Sequence, residues 1–441
     1  MRGKSLYIFM FLIGLFADFR VHLIGMIGIS EVVICLMAPI LYLQDMATLR
    51  KEGFNKILLL LFLTCVSCCI SSFINHTIFP NFIRGLATPV VLLCSVIFMH
   101  HFLRKDLTAM KWFMFGYILC GFFTFVLHGA AFDELMMTES SSGRSGAILR
   151  MYILLPLILI PVYSFYTQIP TWLSAGLCAS VGLYTIVSSA SGRAASLVFL
   201  AGALLIFIGQ KSARKMAKIK KNFVLFMCLA FVGMFVAKFA YSTAAKDGLL
   251  GEAAQKKYMM QTRTGDSLLK LLMGGRAEAF ICVYAAMDKP IFGFGPWALD
   301  WNGYSRRFLD KYGAAEDAET RAQEDVNRAA QGRLERIQFL PFHSHIFGQW
   351  VWYGIVALFL WIYVLVLILN YFRKYIDVVP QWYGMLALIV PKLMWDIFFS
   401  PLFARVETAA AICCLLFAKA IFEGKMMYSR EMWRERQKYL P

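Results

Sequence analysis

Charge is what this chain has least of. Only 16% of its 441 residues are Asp, Glu, Lys or Arg, against 59% hydrophobic, whereas water-soluble domains carry about a quarter charged residues. That scarcity excludes an ordinary soluble globular chain. Proline is sparse too, 13 in all, and no Pro-rich linker, low-complexity tract or internal repeat divides the sequence. The 11 cysteines fall almost wholly inside apolar runs, such as Cys65, Cys68 and Cys69 in one and Cys413 and Cys414 in another. Thiols in such runs behave as small hydrophobes, which indicates neither a disulfide frame nor a zinc site. The first apolar segment lacks a small-residue cleavage site and begins with Arg2 and Lys4, the pattern of a signal anchor rather than a removed signal peptide.

What remains is a series of long apolar runs, at about 5–17, 22–43, 57–75, 82–102, 112–128, 150–166, 171–190, 194–210, 222–242, 346–372, 380–398 and 406–423. Most approach the ~17–25 residues that carry a helix across ~30 Å of hydrocarbon. Backbone in lipid must satisfy its own hydrogen bonds, so the runs read as helices. The expected fold is an all-α polytopic membrane protein of about twelve transmembrane helices. The short first run is expected to pair with the second as a hairpin around Asp18 and Arg20.

The net charge of +17 does not point to nucleic acid, because the basic residues are not gathered on one soluble face. They occupy alternate short loops: Arg50, Lys51 and Lys56; Arg104, Lys105 and Lys111; Lys211, Arg214, Lys215, Lys218, Lys220 and Lys221; Arg373 and Lys374; and the tail from Lys425 to Lys438. The positive-inside rule makes that side cytoplasmic, with both termini inside. Residues 1–242 then form an N-terminal bundle of about nine spans, 243–345 a large outer loop, and 346–441 the last three spans with a basic tail. Within the loop, 267–287 has helix-like apolar spacing. Residues 314–337 are rich in Ala, Glu, Gln and Arg, as in a water-facing helix, and Gly293, Gly295 and Pro296 force a turn between the two.

Ionisable side chains at membrane depth are costly and so are functional candidates. On the outer side these are Arg84, Arg144, Arg150, Arg193 and Arg276, with His343 and His345 at the mouth of a span. Several arginines converging on one cavity suit a pyrophosphate, since the guanidinium fork matches phosphate oxygens. Taken singly, Arg84 or Arg150 has a second reading, snorkelling to lipid phosphates. Arg193 ends the tight turn Ser188-Ser-Ala-Ser-Gly-Arg193, whose small residues open room for a ligand. Two histidines without a nearby acid or Cys ligand set make a poor metal site, and Asp317 and Glu319 read as solvated charges. Histidine does suit a general base acting on an alcohol near neutral pH; the bland alternative is an interfacial histidine bonded to loop carbonyls. Lys392 and Asp396 are spaced to pair at i, i+4, and Glu31 has no evident partner.

Three stretches together resemble the bacterial O-antigen ligase and polymerase family, membrane glycosyltransferases of the GT-C type. Ser188 to Arg193 followed by an apolar helix is similar to the family's small-residue-plus-arginine motif. Gly274-Gly-Arg276 through Ala285, then Asp288-Lys-Pro-Ile-Phe-Gly-Phe-Gly295, is similar to its Gly-Arg helix and Pro-x-x-Gly-x-Gly turn. Phe342-His343-Ser, with Gly354 eleven positions past the histidine, is similar to its histidine motif. The family often has Asn after the histidine and an acid nine positions on; here Ser344 and Trp352 stand there. The spacing to Gly354 favours His343, with His345 the second candidate. The large outer loop before the last three spans agrees with the family's architecture.

The resemblance implies an inverting ligase that moves a glycan from undecaprenyl pyrophosphate to lipid A–core, on the periplasmic face of a Gram-negative inner membrane. It implies His343, Arg193 and Arg276 as catalytic residues. The donor pyrophosphate would be held by Arg193 and Arg276 with Arg84, Arg144 and Arg150, without metal, nucleotide sugar or other cofactor. A polymerase of the same family is the alternative enzyme. A lipid-linked oligosaccharide flippase is the alternative of another class, though it predicts polar groups near the midplane in related halves, and no such repeat is present. The orientation has a direct test. A cysteine placed within 314–330 is expected to react with a membrane-impermeant reagent from the outer side and one within 211–221 is not; reversed labelling would end this topology.

Overall fold

The computed structural model describes residues 3–17, 19–22, 26–128, 169–188, 193–209, 277–312, 339–402 and 404–426, with short pieces at 162, 221–222, 239, 242–249, 255 and 258–259. The spans expected at 150–166 and 222–242, the helix expected over 314–337, the basic cluster at 211–221 and the tail beyond 426 lie almost wholly outside these residues.

In chain order the helices are α1 (Lys4–Leu15), α2 (Ile29–Lys51), α3 (Asn55–Ile74), α4 (Phe79–Lys105), α5 (Ala109–His128), α6 (Thr171–Ser188), α7 (Arg193–Gly209), α8 (Ala277–Ala286), α9 (Tyr304–Tyr312), α10 (His345–Tyr353), α11 (Ile355–Asn370), α12 (Tyr383–Phe399) and α13 (Arg405–Phe422). The described residues are mostly helical. Five helical stretches among them are long and apolar enough to cross a membrane: Ile29–Lys51, Asn55–Ile74, Phe79–Lys105, Ile355–Tyr375 and Pro380–Phe399.

Three expected boundaries differ. The second run starts as helix at Ile29 rather than near 22, because β1 (Arg20–His22) and β2 (Met26–Gly28) pair antiparallel just before it. Glu31 then reaches back to the Gly28 N–H at 2.9 Å and closes the first turn of α2. The first run does not lie along the second. It packs on α5, where Gly14 and Gly116 each bring the helices into backbone contact, and it touches α2 through the Ser30 hydroxyl on the Ile13 carbonyl. The run at 346–372 is two helices, broken at Gly354.

One end of the bundle gathers the loops at 50–56, 104–111 and 371–375. Buried polar groups tie them together. His100 Nε2 lies 2.8 Å from Glu52, His101 Nδ1 2.8 Å from Asp45, and Arg104 Nε 2.9 Å from the other oxygen of Glu52. Phe54 and Phe417 pack against the His100 ring, and the Trp382 indole donates to the Leu107 carbonyl. Charges inside a membrane bundle persist only when paired, and each of these has its partner.

At the opposite end lies the break. Gly354 has φ 78°, and a Cβ there would overlap the Ile291 carbonyl. Ending α10 among the buried Val351, Trp352 and Tyr353 leaves its last carbonyls to find donors, each worth ~1–3 kcal/mol if left unbonded. All four have donors. The Gly354 N–H bonds Trp350 at 2.8 Å, Phe294 N–H bonds Val351 at 2.7 Å, and Gly295 N–H with the Ser71 hydroxyl bonds Trp352. The Ser67 hydroxyl bonds Tyr353. The turn 290–295 is therefore the cap of α10, with α3 supplying the rest. In return the Ile355 N–H bonds the Ile291 carbonyl, and Asn75 bonds both the Gly293 carbonyl and Lys289.

Gly354→Ala is expected to destabilise by more than the ~1–2 kcal/mol of the left-handed backbone alone, since overlap with Ile291 adds to it. Ser71→Ala is expected to cost only ~1 kcal/mol, because Gly295 still serves the same carbonyl. Thermal unfolding in detergent ranks the two; an unshifted midpoint for Gly354→Ala would contradict this account of the break.

Candidate functional site

The segment 339–345 is fastened on two sides. Leu340 N–H bonds the Ala298 carbonyl, and the Cys282 thiol, on α8, points to the Pro341 carbonyl at 2.8 Å. Ser344 caps α10, its hydroxyl accepting from the Phe347 N–H at 3.0 Å and donating to the Ile397 carbonyl at 2.9 Å. The segment thus bridges α8 to the C-terminal end of α12.

The two histidines differ in setting. His345 is 2% exposed, its Nδ1 donates to the Ser400 carbonyl at 2.7 Å, and its ring packs on Trp361. It pins α10 to the end of α12. His343, two positions earlier, has a side chain 44% exposed and a ring stacked along Phe342. Its Nδ1 is shut from solvent and lies 3.1 Å from Glu278 Oε2, off the line of a straight hydrogen bond.

Glu278 is the residue sequence reasoning missed. It sits in the first turn of α8, two positions after Arg276, where an acid suits the helix dipole. Trp352, nine positions after His343, has another role. Its ring joins Trp297 at 5.4 Å and Phe342 at 4.7 Å in an aromatic wall behind the histidine. Trp297 has φ 55°, a left-handed conformation that a bulky side chain rarely takes. The signal that could have found Glu278 was its place just behind the Gly-Arg motif.

The arginines are placed by their helices. Arg84 is exposed in the early turns of α4, beside Gly85, whose bare Cα receives the Pro296 ring and whose carbonyl accepts the Tyr353 hydroxyl. Arg193 opens α7; its side chain lies outside the described residues. The helix itself runs antiparallel to α12, with Gly209 against Tyr383 and Gly202 against Ala387 and Leu388. Continuing from Gly202 to Arg193 at ~1.5 Å per residue brings the start of α7 level with about residue 397 of α12. That is the stretch Ser344 holds. Arg276 lies one residue before the described part of α8, and Arg144 and Arg150 also lie outside the described residues.

Other charges line the same end. Arg405 holds Glu31 with two bonds, Nε to Oε1 at 2.8 Å and Nη2 to Oε2 at 2.6 Å. Lys392 reaches Asp396 at 2.7 Å, as the spacing predicts, and also Glu407 at 3.1 Å, which accepts from the Tyr117 hydroxyl. On α9, burial and a hydrogen bond to Asp288 raise the Tyr304 phenol above its ordinary pKa. Among the described residues, no three His, Cys, Asp or Glu side chains converge as a metal ion would require.

The Glu31–Arg405 pair is buried, with side chains 5% and 12% exposed. Removing one member of such a pair costs ~3–5 kcal/mol, while removing both together costs much less. Arg405→Met is therefore expected to lower the unfolding midpoint strongly and Glu31→Gln with Arg405→Met to recover much of the loss. A double variant as unstable as the sum of the singles would refute the pairing. No known protein family, curated protein or solved structure matches the chain.

Proposed function

We propose that the protein is a glycosyltransferase of the O-antigen ligase kind, acting at the outer face of a Gram-negative inner membrane. It transfers a glycan from undecaprenyl pyrophosphate to a hydroxyl of lipid A–core. The observation that carries this reading is a convergence at the end of α12. The segment of His343 is bonded to Ile397 and Ser400 there, and the helix that begins with Arg193 reaches the same level. A half-exposed imidazole and an arginine-bearing helix start thus share one end of the bundle, with Arg276 leading into the helix that carries Glu278.

In this reading His343 takes the proton of the acceptor hydroxyl as its oxygen attacks the anomeric carbon from the face opposite the pyrophosphate. The bond from that carbon to the pyrophosphate oxygen breaks, and its electron pair leaves with the phosphate. Arg193 and Arg276 pair with the donor pyrophosphate and stabilise the charge that grows on it. Arg84, Arg144 and Arg150 add positive charge around the lipid-linked donor. Cations already positioned around the donor act without reorganising at the moment of reaction.

The test is transfer by purified protein in detergent, from lipid-linked donor to core acceptor, without a gradient. His343→Ala is expected to lower the rate ~10²–10⁴-fold, the worth of general base catalysis, with donor binding largely kept. Arg193→Lys and Arg276→Lys are expected to lose donor binding as well as rate, since an ammonium lacks the bidentate fork. Near-normal transfer by His343→Ala would remove the histidine from the chemistry. Donor translocation by the wild type without transfer would favour a flippase.

A further inference from the structure

We infer that Glu278 is the positioning residue for His343, setting which ring nitrogen carries the proton and so which one is free to accept another. This rests on the reading of His343 as the base and adds the group that makes it one. Nδ1 is closed off from water, and the carboxylate 3.1 Å away is its charged neighbour. A ring nitrogen buried without a partner is costly; placing the proton on Nδ1 and turning it to Glu278 removes that cost. The tautomer then leaves the Nε2 lone pair on the open side, because the ring as a whole is 44% exposed.

The surroundings fix this geometry. Phe342 covers one face of the imidazole. Cys282, one helical turn after Glu278, bonds the Pro341 carbonyl, so the carboxylate and the histidine backbone are held by the same helix. Ser344 holds the other side to α12. The approach is 3.1 Å but off the line of a straight hydrogen bond, and such contacts to catalytic histidines tighten in the reacting complex.

During transfer the acceptor hydroxyl proton passes to Nε2, the new carbon–oxygen bond forms, and the pyrophosphate departs with the electron pair of the broken bond. The imidazolium left behind faces the Glu278 carboxylate, which stabilises it without taking its proton. The extra proton then passes to water or to the released pyrophosphate. Glu278 also joins the Gly-Arg and histidine stretches physically, since the residue two before it is Arg276.

Two measurements test the assignment. In the transfer assay, Glu278→Gln is expected to lower kcat ~10–100-fold, the usual worth of a partner that orients a histidine, with KM for donor and acceptor unchanged. Glu278→Asp is expected to recover part of it. Independently of transfer, diethyl pyrocarbonate is applied at an alkaline pH where the imidazole is neutral, and His343 is followed by peptide mass spectrometry. Modification is expected to be slower in Glu278→Gln than in the wild type, and intermediate in Glu278→Asp. Unchanged kcat and unchanged modification, or a change in KM alone, would overturn the proposal. If the wild type transfers no glycan yet Glu278→Gln still slows modification, the dyad stands and the assignment as a transferase falls. Should Glu278→Gln fail to fold, Glu278→Asp is read in its place against the wild type.

Discussion

A helix that stops among buried side chains must hand its last carbonyls to other donors, and the candidate-site end of this protein is built from that obligation. α10 ends at Gly354 while the apolar pattern runs on into α11. Val351, Trp352 and Tyr353 are buried, and the Gly-rich turn 290–295 and two α3 hydroxyls serve their carbonyls. Once the turn is committed there, Pro296 is brought onto Gly85 of α4. Ala298 is brought to Leu340, and α8 comes alongside residue 341. His343 is presented as a consequence of the cap and not as a separate invention.

Charge in the interior follows the same economy. At the candidate-site end Arg405 joins Glu31 across helices remote in sequence, while Lys392 holds Asp396 on its own helix and Glu407 on the next. At the other end Asp45 and Glu52 are matched by His100, His101 and Arg104. Aromatic side chains back both belts, with Trp361, Trp382, Phe54 and Phe417 fully buried. Isolated charges would be expensive at this depth, so each belt also fixes which helices are neighbours.

Much of this was legible from residue order, because hydrocarbon thickness leaves few choices for an apolar run. The helices α3, α4, α12 and α13 lie close to the runs at 57–75, 82–102, 380–398 and 406–423. That His343 and His345 differ in setting follows from no helical spacing, since His343 precedes the extended N-cap Ser344 and only His345 lies in α10. The break at Gly354 was not legible, because Val351 to Leu360 reads as one continuous apolar stretch. Glu278 escaped because its link to His343 spans the large loop, and spacing rules report only neighbours in sequence. The polar knot at His100 and His101 was hidden for a similar reason, its acids lying on α2 and in the turn after it.

The serines of α3 carry a consequence for how the chain is made. Ser67 and Ser71 end on carbonyls 286 and 281 residues further on. At ~5–20 residues per second of synthesis, roughly 15–60 s separate the insertion of α3 from the arrival of its partners. Through that interval the hydroxyls can only fold back on their own helix, as serine in a membrane helix does. α3 must therefore wait in the bilayer as a plain apolar span, and the candidate site closes only when nearly all of the chain has emerged.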